Sequence, residues 1–115
     1  MLRAHLADAV PVHSYGALMG GPARILETDL DGHALLVLDA PALFERGGGP
    51  YGGPDGRDWP DNWRRFAALA RAGADLASGV VAGRQYDILH AHDWQAAMAP
   101  AYLRFAPGPG ALPPA

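Results

Sequence analysis

Two residue types are missing from this 115-residue sequence, which has neither cysteine nor lysine. Without cysteine there is no disulfide framework and no thiolate zinc site. All nine basic residues are therefore arginine, and they are scattered, so no basic stripe indicates nucleic-acid binding. Chemistry at phosphate groups often relies on a compact lysine cation, and this sequence supplies none.

Long apolar runs are also absent. Half of the residues are hydrophobic, but no run approaches the roughly 18 to 20 residues that span a bilayer. The first ten residues also lack the basic-then-apolar pattern of a signal peptide. The net charge is −3, and the length suits one small domain rather than a two-domain enzyme. We expect a soluble, cytoplasmic protein with no membrane partner.

A β-hairpin is predicted near the start of the chain. Two β-favouring runs, 23–30 and 33–38, flank Asp31-Gly32, and Asp-Gly is a strong signal for a two-residue hairpin turn. The consecutive apolar residues at 35–38 favour a strand that is covered on both faces.

A helix is predicted over about 62–78, with Asp61 or Asn62 as its N-cap and Gly79 as its stop. The pair Arg64-Arg65 near its start is interpreted as a solvated face. The predicted apolar stripe comprises Phe66, Leu69, Ala70, Gly73, Leu76 and Ala77.

The second half of the chain predicts a buried strand at 86–90 and a helix at 94–105, which Asp93 would cap and Pro100 would kink. Together with the first half, this order is typical of an α/β protein with a parallel, doubly wound sheet. The predicted fold class is therefore a partial Rossmann-like sheet with a β-hairpin near the start. Ligands of such sheets bind beyond the carboxyl ends of the strands.

The segment 40–62 is a long connection rich in Gly, Pro and Asp. Its aromatic residues Phe44, Tyr51 and Trp59 favour an ordered loop over a disordered linker. The run Gly47–Gly49 resembles a phosphate cradle only superficially, because no lysine with serine or threonine follows it. We interpret these glycines as a flexible loop.

The densest polar cluster is the segment from His90 to Trp94. His90 and His92 could begin a metal site, but a zinc site needs three or four ligands, and no further histidine has a suitable spacing. The simplest alternative is a core histidine at 90 and a helix cap at Asp93. A third reading is a sugar site, in which Asp93 bonds hydroxyls while Trp94 and Tyr51 stack on sugar rings.

Two stretches of the sequence resemble bacterial glycogen (starch) synthases of glycosyltransferase family 5. The similarity extends from about residue 10 to residue 106. The residues that carry it are Leu38–Arg46, Gly49-Pro50-Tyr51, Asp61-Asn62, Arg65-Phe66-Ala67, Asp87–Gln95 and Ala99–Leu103.

This resemblance implies a GT-B fold, with two Rossmann-like domains and an active site between them. It also implies transfer of glucose from ADP-glucose, or UDP-glucose in some relatives, to an α-1,4-glucan acceptor, without a cofactor or metal. Asp93 and Trp94 would line the sugar cleft, Tyr51 would lie on the acceptor side, and His92 would support the turn.

The same resemblance implies a domain that is incomplete at both ends over residues 1–106, followed by a Pro/Gly-rich tail at 107–115. The family's Lys-x-Gly-Gly-Leu motif and its phosphate-binding cations are missing, so we expect no complete catalytic set, no activity of this polypeptide alone and marginal stability. Two rival functions stay open here. One is a stand-alone carbohydrate-binding or regulatory module, and the other is a metal-dependent hydrolase built on His90 and His92.

Overall fold

The computed structural model of the protein describes residues 6–107. Within this range the chain forms three strands and four helices, in two compact units. The unit that reaches Phe44 contains β1 (Val10–Leu18), β2 (Gly21–Leu30), β3 (His33–Asp39) and α1 (Pro41–Phe44). The unit that starts at Glu45 contains α2 (Asn62–Ala77), α3 (Asp93–Ala96) and α4 (Met98–Phe105).

The predicted hairpin is confirmed as the antiparallel pair β2–β3. Its turn residues Asp31 and Gly32 both have positive φ, 52° and 82°, as a type I′ turn requires. The Asp29 carboxylate accepts a hydrogen bond of 2.9 Å from the Gly32 amide and stabilises this turn.

Strand β1 was not predicted, and it pairs with β2 on the side opposite β3. The connecting turn uses Met19 and Gly20, both with positive φ. The signals for this strand in the sequence were the β-branched residues Val10 and Val12 and the aromatic residue Tyr15. Methionine is a poor turn signal, which is why the second hairpin is hard to recognise.

The sheet buries one face of β2. Along this strand Gly21, Ala23 and Ile25 are buried while Pro22 and Arg24 are exposed, the alternation expected of a half-covered antiparallel strand. The apolar core of this unit consists of Leu18, Ala23, Ile25, Leu26, Ala40 and Leu43.

The prediction that 35–38 forms a strand covered on both faces was wrong. Strand β3 is an edge of the sheet, and its residues from Leu35 to Asp39 are only partly buried. At its end the Asp39 carboxylate pairs with Arg24 on β2 at 2.8 Å. A polar residue at the end of this strand therefore has a structural ion-pair partner.

The general α/β class is confirmed, but the parallel, doubly wound sheet is not. The sheet within residues 6–107 is antiparallel throughout. The predicted buried strand at 86–90 is an irregular segment, and its Ile88 is 83% exposed. A strand needs a neighbouring strand to bond its amide and carbonyl groups. Among the strand pairs of the described residues, none includes this segment.

Helix α2 ends as predicted, at Gly79. This glycine has φ of 84°, the left-handed conformation that glycine adopts without strain. The amide of Val80 bonds the Asp75 carbonyl and the amide of Gly79 bonds the Leu76 carbonyl, which is the Schellman pattern. Asp61 occupies the N-cap position, but its side chain makes no capping hydrogen bond.

The buried face of α2 differs from the predicted stripe. Leu69 is 40% exposed, whereas Arg65, Ala68, Ala72 and Asp75 are buried. These positions lie on one helical face by their spacing of three and four, so the face that packs inward includes two charged residues. Of the predicted stripe only Ala70 is fully buried, so hydrophobic spacing placed the buried face correctly only in part.

The predicted helix over 94–105 is broken into α3 and α4 at Ala97. Pro100 lies four residues after Ala96, and proline lacks the amide for this bond and crowds the carbonyl, which explains the break. Helix α4 packs against α2. Among the described residues, every helix is too short or too polar to cross a bilayer.

Candidate functional site

The connection between α1 and α2 is a compact, hydrogen-bonded loop, as its aromatic content predicted. The amide of Gly49 bonds the Gly52 carbonyl, and the amide of Gly53 bonds the Arg57 carbonyl, both at 2.9 Å. A β-bridge also joins Gly52 to Asp58. The loop therefore presents its side chains from a defined backbone.

Glycines in this loop allow close backbone packing, which corrects their interpretation as a flexible segment. Gly48 has φ of 89°, and a Cβ there would lie 2.5 Å from the Gly52 carbonyl oxygen. A Cβ at Gly52 would lie 2.8 Å from the Arg57 carbonyl oxygen. Only glycine fits such approaches, so these positions have a structural reason to be glycine.

A bidentate ion pair joins the start of the loop to the start of α2. The two terminal guanidinium nitrogens of Arg46, Nη1 and Nη2, donate to the Asp61 carboxylate at 2.6 Å, and the Arg46 guanidinium also lies 4.9 Å from the Trp59 ring centroid. The hydrogen bonds from Arg46 lower the pKa of Asp61, and those to Asp61 raise the pKa of Arg46. This pair explains why the Asp61 side chain does not cap α2.

Arg65 is buried, with only 3% of its surface exposed, so its interpretation as part of a solvated face was wrong. Its guanidinium donates to the Pro50 carbonyl at 3.1 Å and to the Asn62 side-chain oxygen at 2.7 Å. Burial lowers the pKa of Arg65, and the nearby charge of Arg46 adds to this effect. Arg64 is exposed as predicted.

The backbone of Tyr51 is held by its neighbours on both sides. Its carbonyl accepts hydrogen bonds from the Trp59 amide at 3.0 Å and from the Asn62 side-chain nitrogen at 2.7 Å. The preceding carbonyl, of Pro50, is the acceptor for Arg65. Hydrogen bonds from the loop and from the first turn of α2 thus fix the backbone position from which the Tyr51 side chain extends.

The structure brings two of the predicted site residues together in an aromatic cluster, which comprises Tyr51, Phe66 and Trp94. Ring centroids lie 6.1 Å apart for Tyr51 and Trp94, 5.9 Å for Tyr51 and Phe66, and 5.0 Å for Phe66 and Trp94. Such separations are typical of interacting rings. Tyr51 is 46% exposed and Trp94 is 53% exposed, so the cluster offers ring surface to a ligand.

Phe66 and Gln95 were not predicted as site residues. Phe66 was assigned to the apolar stripe of α2, although its ring also contacts the rings of Tyr51 and Trp94. The Gln95 side-chain nitrogen donates to the Tyr51 hydroxyl at 2.8 Å. The signal for Gln95 was its position directly after Trp94.

The other two predicted residues, Asp93 and His92, lie at the start of α3. The N-cap position belongs to His92 rather than Asp93, so the predicted cap was wrong by one residue. Asp93 has φ of 58°, a conformation that costs a residue other than glycine about 1 kcal/mol or more. Its carboxylate accepts a hydrogen bond from the Trp94 amide at 2.7 Å, which stabilises this unusual backbone.

The rings of the two histidines of this segment contact each other. The ring centroids of His90 and His92 lie 4.2 Å apart, and the ring planes differ by 32°. Both residues are exposed, so the expectation of a core histidine at 90 was wrong. Residues 6–107 contain no group of three or more His, Cys, Asp or Glu that could hold a metal ion.

An open depression of about 700 Å³ lies elsewhere in the same unit, around the end of α2. Ser78, Arg84 and Tyr86 are among its lining residues, and none of the four predicted site residues lines it. Two of the four, Tyr51 and Trp94, belong instead to the aromatic cluster.

The family model for the starch synthase catalytic domain matches residues 2–111. The chain belongs to this family. A glycogen synthase of Novosphingobium aromaticivorans is 61% identical over 105 residues, 91% of this chain and 22% of that protein. A glycogen synthase of Rhodopseudomonas palustris strain BisB18 is 55% identical over 106 residues, 92% of this chain and 22% of the relative. A glycogen synthase of Mesorhizobium japonicum is 56% identical over 99 residues, which are 86% of this chain and 21% of that protein.

As a member of the starch synthase catalytic domain family, the chain spans only about a fifth of the length of these glycogen synthases. The relatives support the predicted glycosyltransferase parent. They do not support the two rivals, a stand-alone carbohydrate-binding module and a histidine-based hydrolase. The family match also extends past residue 106, into the predicted Pro/Gly-rich tail. Beyond Pro107, that tail lies outside the described residues.

Proposed function

We propose that this chain forms the glucan-facing part of a glycogen synthase that transfers glucose from ADP-glucose to the non-reducing end of an α-1,4-glucan. The family match supports the parent activity. The observation that carries the site is the exposed aromatic cluster of Tyr51, Phe66 and Trp94.

The chemistry of this cluster suits a glucan. A glucose ring has apolar C–H faces and a rim of hydroxyls, so it stacks on aromatic rings while polar groups bond its edge. Trp94 and Tyr51 supply exposed ring surface. Asp93, adjacent to Trp94, supplies a carboxylate, and the Tyr51 hydroxyl supplies a second polar group. The phosphates of the donor are not the natural ligand of such a surface.

Donor phosphates need cations, and in this proposal those cations lie in parts of the synthase outside these 115 residues. Stabilising the charge on a leaving nucleotide is often the largest contribution to such catalysis. The chain has no lysine, and Arg46 and Arg65 are engaged with Asp61 and with the Pro50 carbonyl. We therefore expect no glucose transfer by the 115-residue polypeptide alone.

The proposed parent enzyme has a GT-B fold, in which the segment 86–90 would be a strand. In support, this segment is apolar at Ile88 and Leu89 and has Ile88 83% exposed. Exposed apolar residues in an irregular segment gain stability when neighbouring strands cover them. We propose that such strands belong to the rest of the synthase.

A segment exchange tests the proposed function. The matching segment of the Novosphingobium aromaticivorans glycogen synthase, which is 61% identical, is replaced by this chain. Incorporation of radiolabelled glucose from ADP-glucose into glycogen is then measured. We expect activity within about tenfold of the parent synthase, whereas a folded hybrid without transfer would contradict the proposal.

Two tryptophan variants of the hybrid test the site. Trp94→Ala removes a ring of the cluster, and a loss of about 1.4 kcal/mol of ring contact raises the KM for glycogen about tenfold. The control is Trp63→Ala, because Trp63 is an exposed tryptophan (72%) of the same unit and no ring contact places it in the cluster. Equal effects of the two substitutions would show that the cluster is not the glucan surface.

A further inference from the structure

The hydrogen bond between Gln95 and Tyr51 joins two parts of the sequence that are 44 residues apart. Gln95 lies on the short helix α3, and Tyr51 lies in the loop before α2. The bond runs from the side-chain nitrogen of Gln95 to the phenol oxygen of Tyr51, at 2.8 Å. It therefore acts on the hydroxyl oxygen of Tyr51, the polar atom that this residue adds to the aromatic cluster.

The backbone carbonyl and the ring of Tyr51 are both held by neighbours, so the direction of its hydroxyl hydrogen is what remains to be set. Its carbonyl is held by the Trp59 amide and by Asn62, and its ring packs against Phe66 and Trp94. A tyrosine hydroxyl can donate one hydrogen bond and can also accept one. Because Gln95 donates to the oxygen, the hydroxyl hydrogen points toward another acceptor.

We propose that Gln95 is a positioning residue that makes Tyr51 a hydrogen-bond donor to a hydroxyl oxygen of the bound glucan. This inference rests on the proposed function, since it takes the aromatic cluster as the glucan surface. Gln95 acts through Tyr51, and its own contact with the sugar is not required.

Fixing the direction of this hydroxyl matters because of its exposure. Tyr51 is 46% exposed, so without Gln95 its hydroxyl exchanges freely between donating to water and accepting from water. Each glucan hydroxyl can also donate or accept. An oriented donor on the protein selects one arrangement and lowers the entropy lost when the sugar binds.

The first arm of the experiment needs no ligand. Side-chain amide signals of Gln95 and Gln85, the two glutamines of the chain, are recorded by NMR in the 115-residue protein and in Tyr51→Phe. We expect the Gln95 amide to exchange with water more slowly than that of exposed Gln85, and to lose this difference in Tyr51→Phe. Identical Gln95 signals in both proteins would overturn the inference whether or not glucan binds.

The second arm measures maltoheptaose affinity by titration. Gln95→Leu removes the donor, which weakens binding about threefold. Gln95→Glu reverses the bond, because a carboxylate accepts the phenol hydrogen, and weakens binding about tenfold. Gln85→Leu is the matched control and leaves affinity unchanged. A structural role alone would not rank the glutamate variant below the leucine variant when both fold normally.

A double-mutant cycle completes the test. If Gln95 acts through Tyr51, Gln95→Leu has no further effect in the Tyr51→Phe background. Additive losses, or equal affinity of Gln95→Leu and wild type, would overturn the inference while leaving glucan binding intact. An intact amide result with no maltoheptaose binding by the wild-type chain would instead contradict the glucan surface itself, and the assigned role with it.

Discussion

Replacing Arg46 by methionine removes the bidentate pair that joins the loop to α2. Arg46 and Asp61 are 22% and 28% exposed in their side chains, so the pair is neither a surface pair nor a fully buried one. Exposed pairs contribute about 0.2 to 1 kcal/mol, and breaking buried ones costs about 3 to 5 kcal/mol. With two hydrogen bonds of 2.6 Å, we expect a loss of about 2 kcal/mol in unfolding free energy at pH 7.

The effect depends on pH because Arg46 lowers the pKa of Asp61. A carboxylate with a lowered folded pKa stabilises the protein above its unfolded pKa of about 3.9, and this contribution is lost as pH falls through the folded value. Wild type and Arg46→Met therefore differ most near neutral pH and converge in acid.

Urea unfolding at a series of pH values measures this difference. In thermal unfolding at pH 7, the same loss of about 2 kcal/mol should lower the Tm by roughly 10 °C for a small domain. Arg64→Met is the matched control, since Arg64 is an exposed arginine on α2, and it should change stability by less than about 0.5 kcal/mol. A difference for Arg46→Met that stays constant down to pH 2 would refute the ion-pair explanation.

Two further predictions concern the close backbone packing at Gly48 and the ion pair of Asp75. Gly48→Ala places a Cβ 2.5 Å from a backbone oxygen at positive φ and should destabilise the protein by about 2 kcal/mol or more in urea unfolding. The control is Gly16→Ala, which has open space around the added Cβ and should change stability by less than about 0.5 kcal/mol. Equal effects of the two substitutions would contradict the close packing at Gly48. Arg71→Met removes the 2.6 Å ion pair of the buried Asp75 and should cost about 3 kcal/mol, most of which the added change Asp75→Leu recovers. A single variant as stable as wild type would show that the pair is unimportant.

Local signals predicted the hairpin turn and the end of α2 correctly. Asp31, Gly32 and Gly79 meet requirements on φ that a few neighbouring residues define. The segment 86–90 failed because its apolar pattern does not show whether a partner strand is present. Pairing is a property of the whole sheet, and within the described residues this segment belongs to no strand pair.

The site was predicted only in part. Tyr51 and Trp94 were recognised, and the structure places their rings 6.1 Å apart. The burial of Arg65 depends on the carbonyl of Pro50, 15 residues earlier, and the role of Gln95 depends on Tyr51, 44 residues away. Such contacts between distant residues leave no periodic pattern in a single sequence.

The central claim is that the aromatic cluster binds glucan, and the three tryptophans of the chain test it directly. Their indole N–H signals are followed by NMR while maltoheptaose is added to the protein. We predict that the Trp94 signal shifts with saturation, whereas the signals of exposed Trp63 and of Trp59, which lies under Arg46, stay in place. A saturating shift of Trp63 with an unmoved Trp94 would contradict the account.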